Sequence, residues 1–257
     1  MFYSANQIEE LETGYRTQVR KLNTLLMSTA SQSFENKEAL YFLKHGLGRR
    51  IILVNRALQG LFTSIPIALD EIPKKEKLSD ASIYLQALFS NIYGCLDNLA
   101  WIWVHNNQQN KKLANINKHY VGLNPENKTL RQTLPEIFLE ELEKFDDWIK
   151  YIKDVRNDLA HKVPLYLIPS VIHTEKVKDF ESLENKKLEA LILKEIEAFE
   201  KIESEQSAMS SYRPYWAEQS IKRTSAYLIH PCAINDVNAL TQLVEKFFEY
   251  CNSQGRA

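Results

Sequence analysis

The stretch DVRNDLAHKVPLY, residues 154–166, places an arginine, an asparagine and a histidine close together: Arg156, Asn157 and His161. Phe145, Ile149 and Ile152 recur at steps of four and three, and the next step of four lands on Arg156. The arginine therefore lies on the apolar seam of a helix. A guanidinium there must be paired or held for a ligand, because an unpaired buried charge is expensive. Asp97, on the flank of another apolar helix, is the expected partner. His161 follows five positions later, about 140° around an ideal helix. The two side chains converge only if the helix ends or tightens there, as Pro164 suggests. Two readings stand side by side: a catalytic pair, or a basic helix end that complements the backbone dipole.

Other stretches invite weaker readings. Arg223 and His230, with six residues between them, give a second match to the looser pattern of an arginine, four to six residues and a histidine, in a region without helical periodicity, and are read as background. HGLGRR (45–50) offers His45, Arg49 and Arg50, with Arg56 beyond. It could line a nucleic-acid path or form a solvated helix face. It is no phosphate loop, since no strand precedes it and no Lys–Ser/Thr follows. YRPYW (212–216) could stack on bases, but packing over the bundle end is the preferred reading. His45, His105, His119, His161, His173 and His230 show no metal-ligand spacing, so no metal and no cofactor are expected.

Positioning these residues requires helices. Apolar periodicity predicts one over 5–30 and a second over 35–64, interrupted or bent at Gly46 and Gly48. A connection bounded by Pro66 and Pro73 follows, with Ser79 or Asp80 capping a helix over 80–107. That helix carries Leu85, Phe89, Ile92, Leu96, Leu99 and Trp103 on one stripe, and Tyr93, Asp97, Trp101 and Val104 on the next. So wide an apolar face belongs at the centre of a bundle. A polar connection (106–129) leads to a helix from Pro135 to about 160. Pro164 and Pro169 make 162–172 extended. A charged helix over 176–206 has a thin stripe of Leu188, Ile192, Ile196 and Phe199. Residues 210–231 are irregular or part strand, and Asn235 or Asp236 caps a last helix. The expected fold is all-α, an antiparallel helical bundle with a small irregular or β element.

The 257 residues suffice for one large domain, and 44% hydrophobic residues support a real core. A formal charge of −1 leaves no global basic field to attract nucleic acid. Three well-separated cysteines fit a reduced, cytoplasmic setting. The N-terminal segment does not read as a signal peptide. Polar residues inside the most apolar window argue against a membrane span.

RNDLAH resembles the R-x4-6-H signature of the HEPN superfamily, in which a polar residue commonly follows the arginine, as Asn157 does here. The longer RNDLAHKVPLYLIP also resembles a group of uncharacterised bacterial proteins with an R-x4-H-x2-P-L-Y core. The resemblance covers about 140–170. The chain is read as a single domain over 1–257, with a HEPN-like bundle at 1–161 and an extension at 162–257 packed on it; the resemblance says nothing of 173–257. The resemblance implies metal-independent endoribonuclease activity, with RNA as the partner. His161 would serve as general base or acid. Arg156 would hold the scissile phosphate, and Asn157 would orient the phosphate or the histidine. Arg49, Arg50 and Tyr166 are candidate substrate-binding residues, and Asp97 a supporting one. The alternative is a non-catalytic HEPN-like module binding RNA, a nucleotide or a protein. Val163 stands where HEPN toxins carry the tyrosine of H-x-Y, which argues against a toxin controlled at that tyrosine. A lone arginine–histidine pair is thin chemistry for a phosphate. A homodimer is therefore expected, its two-fold axis near the end of the 136–160 helix and its contact drawing on Leu165 and Tyr166.

Overall fold

Ser4 and Gln7 exchange backbone and side-chain hydrogen bonds in a capping box and start the first helix, α1 (Ala5–Ser31). Asn36 accepts from the amides of Glu38 and Ala39 and opens α2 (Lys37–Tyr41). The computed structural model describes residues 2–219 and 224–254; Arg223 lies outside them. The glycines expected to interrupt the second helix do not end it. The chain passes from α2 through a seven-residue π-helical segment, Phe42–Gly48, directly into α3 (Arg49–Ser64).

The central helix is α4 (Lys75–Asn106), which begins five residues before the expected start. Ser79 and Asp80 lie inside it rather than at its cap, and the Ser79 hydroxyl donates to the Lys75 carbonyl. The opening residues Lys75, Glu76 and Lys77 carry no apolar signal to mark the turn. Leu85, Phe89, Ile92 and Leu99 of α4 are fully buried among α3, α8 and α11. The 106–129 connection contains short turns, among them α5 (Lys111–Ala114) and α6 (Lys128–Arg131). The expected 136–160 helix is two helices, α7 (Glu136–Glu143) and α8 (Asp146–His161), joined at Phe145.

Beyond α8 the chain forms β1 (Tyr166–Leu167) and β2 (Val171–Ile172). Their partners come from the other expected irregular segment. A three-stranded antiparallel sheet has the order β1, β4 (Tyr215–Gln219), β5 (Thr224–Leu228), and β2 pairs with β3 (Ser210–Ser211). Leu167 opposes Trp216 across β1 and β4, and both are buried. The tryptophan stacks on Tyr227 and packs against Phe89, so the YRPYW segment roofs the bundle.

Between β2 and β3 stands a two-helix arm, α9 (Val177–Leu193) and α10 (Ile196–Ala208). This corrects the single helix read over 176–206. Lys194, at φ 60°, reverses the chain between them. The last helix, α11 (Ile229–Gln254), starts ahead of Asn235 and Asp236, so neither is its cap. Pro231 sits in its first turn, where a missing N–H does no harm. The outcome is a mainly helical chain with a small antiparallel β element, as the periodicity predicts.

Candidate functional site

Two guanidiniums from different helices approach the middle of α4. Arg50, in the first turn of α3, lies across Gly94: a Cβ there would stand 2.2 Å from the Arg50 Cζ. Its Nη1 donates to Asn91 Oδ1 at 3.3 Å. Arg156, on α8, lies over the Tyr93 ring with its Cζ 5.4 Å from the centroid. Its Nη1 donates to Asn157 Oδ1 at 3.1 Å. Both arginines act on half-buried Asp97. Burial pushes its carboxyl up to about 6, against the downward pull of Arg156 and then of Arg50. Among the described residues no direct ion pair joins Asp97 to either arginine. The expected Arg156–Asp97 partnership therefore acts through space and leaves both guanidiniums half exposed.

The same seam continues along α4. The π-helical segment brings Gly46 against Asn98, where a Cβ would lie 2.7 Å from Oδ1. One turn further, Phe42 stacks on Trp101 and His105 at centroid distances of 5.5 and 5.3 Å. Trp101 and His105 stack on each other as well. Arg50, Gly46 and Phe42 thus face Gly94, Asn98 and Trp101 in register. The spacing of the sequence does not reveal this, because the closest approaches depend on glycines that carry no side-chain signal.

His161 belongs elsewhere. Because α8 stays α-helical through His161, the helix neither ends early nor tightens, and the 140° offset from Arg156 persists. The convergence that Pro164 suggests does not occur within one chain. The histidine is exposed in a surface depression that it lines with Asp154, Asn157, Asp158 and Lys162. Lys162 pairs with Asp158. Asn157 is the one residue common to this depression and the arginine cluster.

The remaining candidates are dispersed. Arg49 is exposed on the outer face of α3, its Nη2 3.1 Å from His45 Nδ1. Tyr166 is exposed on β1, with no hydrogen bond or ring contact to Arg156 or His161 among the described residues. Leu165, expected at a dimer contact, is 7% exposed and belongs to the chain's own core. The β1–β4 pairing folds this segment back and buries Leu165 and Leu167, while Val163 and Tyr166 stay exposed. His230 is buried as well: it bonds Tyr3 and the Ile65 carbonyl, and burial lowers it to about 4.

Among the described residues, no group of three or more His, Cys, Asp or Glu could hold a metal ion, and no helix is long and apolar enough to cross a membrane. The chain matches no protein-family model, no curated protein and no solved structure.

Proposed function

We propose that the chain is a non-catalytic HEPN-like module that binds single-stranded RNA across the α3–α4–α8 face. The observation that carries this reading is the placement of Arg50 and Arg156 near Asp97, beside the stacked Phe42–Trp101–His105 tier. Guanidiniums suit phosphates, and aromatic faces accept any base. Asp97 tunes the pair: ionised, it offsets part of their charge.

That arrangement sets a pH dependence. As pH falls through about 6, Asp97 takes up a proton and its negative charge is lost. RNA binding is therefore expected to tighten from pH 8 to 5.5. Asp97→Asn should bind tightly at both pH values and flatten the profile. Fluorescence anisotropy with a labelled oligoribonucleotide measures this. A wild-type profile shared by Asp97→Asn would assign the effect to other groups. In the same assay Arg50→Ala and Arg156→Ala should each lower the salt slope by about one.

Gly94→Ala gives a second check. Its methyl meets the movable end of Arg50 rather than fixed backbone, so the fold should stand while Arg50 is displaced. The expected result is a Tm close to wild type with RNA affinity reduced toward that of Arg50→Ala. Unchanged affinity would mean that the position of Arg50 over Gly94 is irrelevant to binding.

The second reading, an endoribonuclease, draws on Asn157, which bonds Arg156 and lines the histidine's depression. Incubating the protein with a mixed RNA pool in EDTA separates the two. Binding without cleavage is expected; cleavage abolished by His161→Ala would replace the binding reading with the enzymatic one.

A further inference from the structure

The α9–α10 arm has almost no core of its own. Ala190 is its one buried apolar residue, while Leu188, Leu191, Ile192, Leu193 and Ile196 are exposed around the turn at Lys194. Ile192 alone is 78% exposed. Inside the arm, a polar clasp replaces apolar packing: Gln206 bonds Glu184, Lys187 and the Phe180 carbonyl. Two short helices held this way gain little from burial. The apolar tip is the part a partner would cover.

The arm is also acidic. From Glu175 to Glu205 it carries ten carboxylates against six lysines. The body of the same chain presents the opposite sign. Between Glu38 and Asp70 there is no acidic residue, while Lys44, Arg49, Arg50 and Arg56 are all cationic. On the outer face of the π-helical segment and α3, Lys44, Arg49 and Arg56 are exposed beside Tyr41, Ile52 and Leu53. Met27 of α1, 73% exposed, adds to this face. The Asn55–Asn23 hydrogen bond and the approach of Thr29 to Gly48 bracket it at the level of Ile51 and Ile52.

We infer that the arm of one copy seats its apolar tip on this basic, apolar face of a second copy. Exposed leucines and isoleucines on an acidic arm match exposed Ile52, Leu53 and Tyr41 among three cations. The match pairs arm with body, and two such contacts related by a two-fold axis, each copy giving its arm to the other, close the dimer. An anionic bilayer would repel the arm's carboxylates, which sets the second copy apart as the occupant. The inference stands apart from RNA binding, since neither Arg50, laid over Gly94, nor Arg156 belongs to the outer face.

The test is light scattering on the full chain at micromolar concentration, in low and high salt. Wild type should be a dimer that loosens as salt screens the charges. The tip variant Ile192→Glu and the body variant Arg49→Glu/Arg56→Glu should each weaken association on the order of tenfold or more. All substituted side chains are exposed, and circular dichroism checks that each variant is folded. Mixing the two variants is the sharpest comparison: a mixed pair keeps one of its two arm–body contacts intact, so the mixture should associate more tightly than either variant alone. A wild-type monomer would overturn the inference. So would a dimer that survives the body variant, or a mixture that associates no more tightly than either variant alone, since either result points to tip-to-tip packing or another surface.

Discussion

Replacing Arg131 with alanine is expected to destabilise the fold by about 2–3 kcal/mol, a large effect for a single polar side chain. Arg131 is 7% exposed. Its Nε and Nη2 donate to the Leu123 carbonyl at 3.0 and 2.6 Å, and its two terminal nitrogens grip Asp146. One guanidinium thus ties the 107–135 connection to the first turn of α8, ten residues ahead of Arg156. Alanine would leave the Leu123 carbonyl unpaired and open a cavity, while Asp146, partly exposed, would recover water. Thermal unfolding should show a Tm lower by on the order of 10 °C. Arg131→Lys should recover only part of the loss, because an ammonium cannot reproduce the fork. In a double-mutant cycle with Asp146→Ala, the double variant should cost less than the two singles together. A Tm within about 2 °C of wild type would show the grip to be energetically idle.

Asp236→Asn is expected to stabilise the protein, by an amount that grows as pH rises from about 4 and levels off above about 6. Asp236 is buried on α11, accepting from Trp148 Nε1 at 3.0 Å and from the Cys232 thiol at 3.3 Å; the thiol in turn meets the Tyr151 hydroxyl. Burial lifts its carboxyl from 3.8 to about 6, with the two hydrogen bonds pulling the other way. Between those values the folded chain binds more protons than the unfolded one, so stability falls as pH rises from about 4 to 6. A rise of that size corresponds to about 3 kcal/mol, fully present at pH 7. Asparagine keeps the acceptor for Trp148 and turns the thiol contact around, with its amide donating to sulfur. The variant should match wild type near pH 4 and exceed it by about 2–3 kcal/mol at pH 8. His230, held neutral down to about 4, tilts the wild-type profile the other way. The difference between variant and wild type is therefore the readout. An equal gap at both pH values would mean that Asp236 is not the titrating group.

These two residues mark where the sequence stops being informative. The long helices are legible because leucines and isoleucines recur every three or four residues on α1, α3 and α4. Arg131 sits alone in a polar stretch without period, and nothing local distinguishes it from a solvated arginine. Asp236 reads as a helix cap because caps are usually aspartates, yet α11 has already begun at Ile229. The arm reads as one helix because Leu188, Ile192 and Ile196 keep helical spacing across a turn made by lysine rather than glycine. At the site, the neighbourhood of Arg156 and Asp97 follows from the stripes of α8 and α4. The acidic surroundings of His161 are legible too, since Asp158 and Asp154 precede it by about one and two turns. The position of Arg50 is not, because its platform is the absent side chain of Gly94.

The contact between the first and last helices bears on synthesis. Tyr3 bonds His230 across 227 positions, and Gln18 and Lys21 of α1 reach Asn238 of α11. At ribosomal rates of about 5–20 residues per second, α1 emerges roughly 10–45 s before the helix that covers it. During that interval Leu22 and Leu25, buried in the finished fold, lie on a helix that can pack on α3 and the π-helical segment but still lacks α11. Slowing translation over 1–230 should therefore lengthen the exposure of the nascent chain to proteolysis.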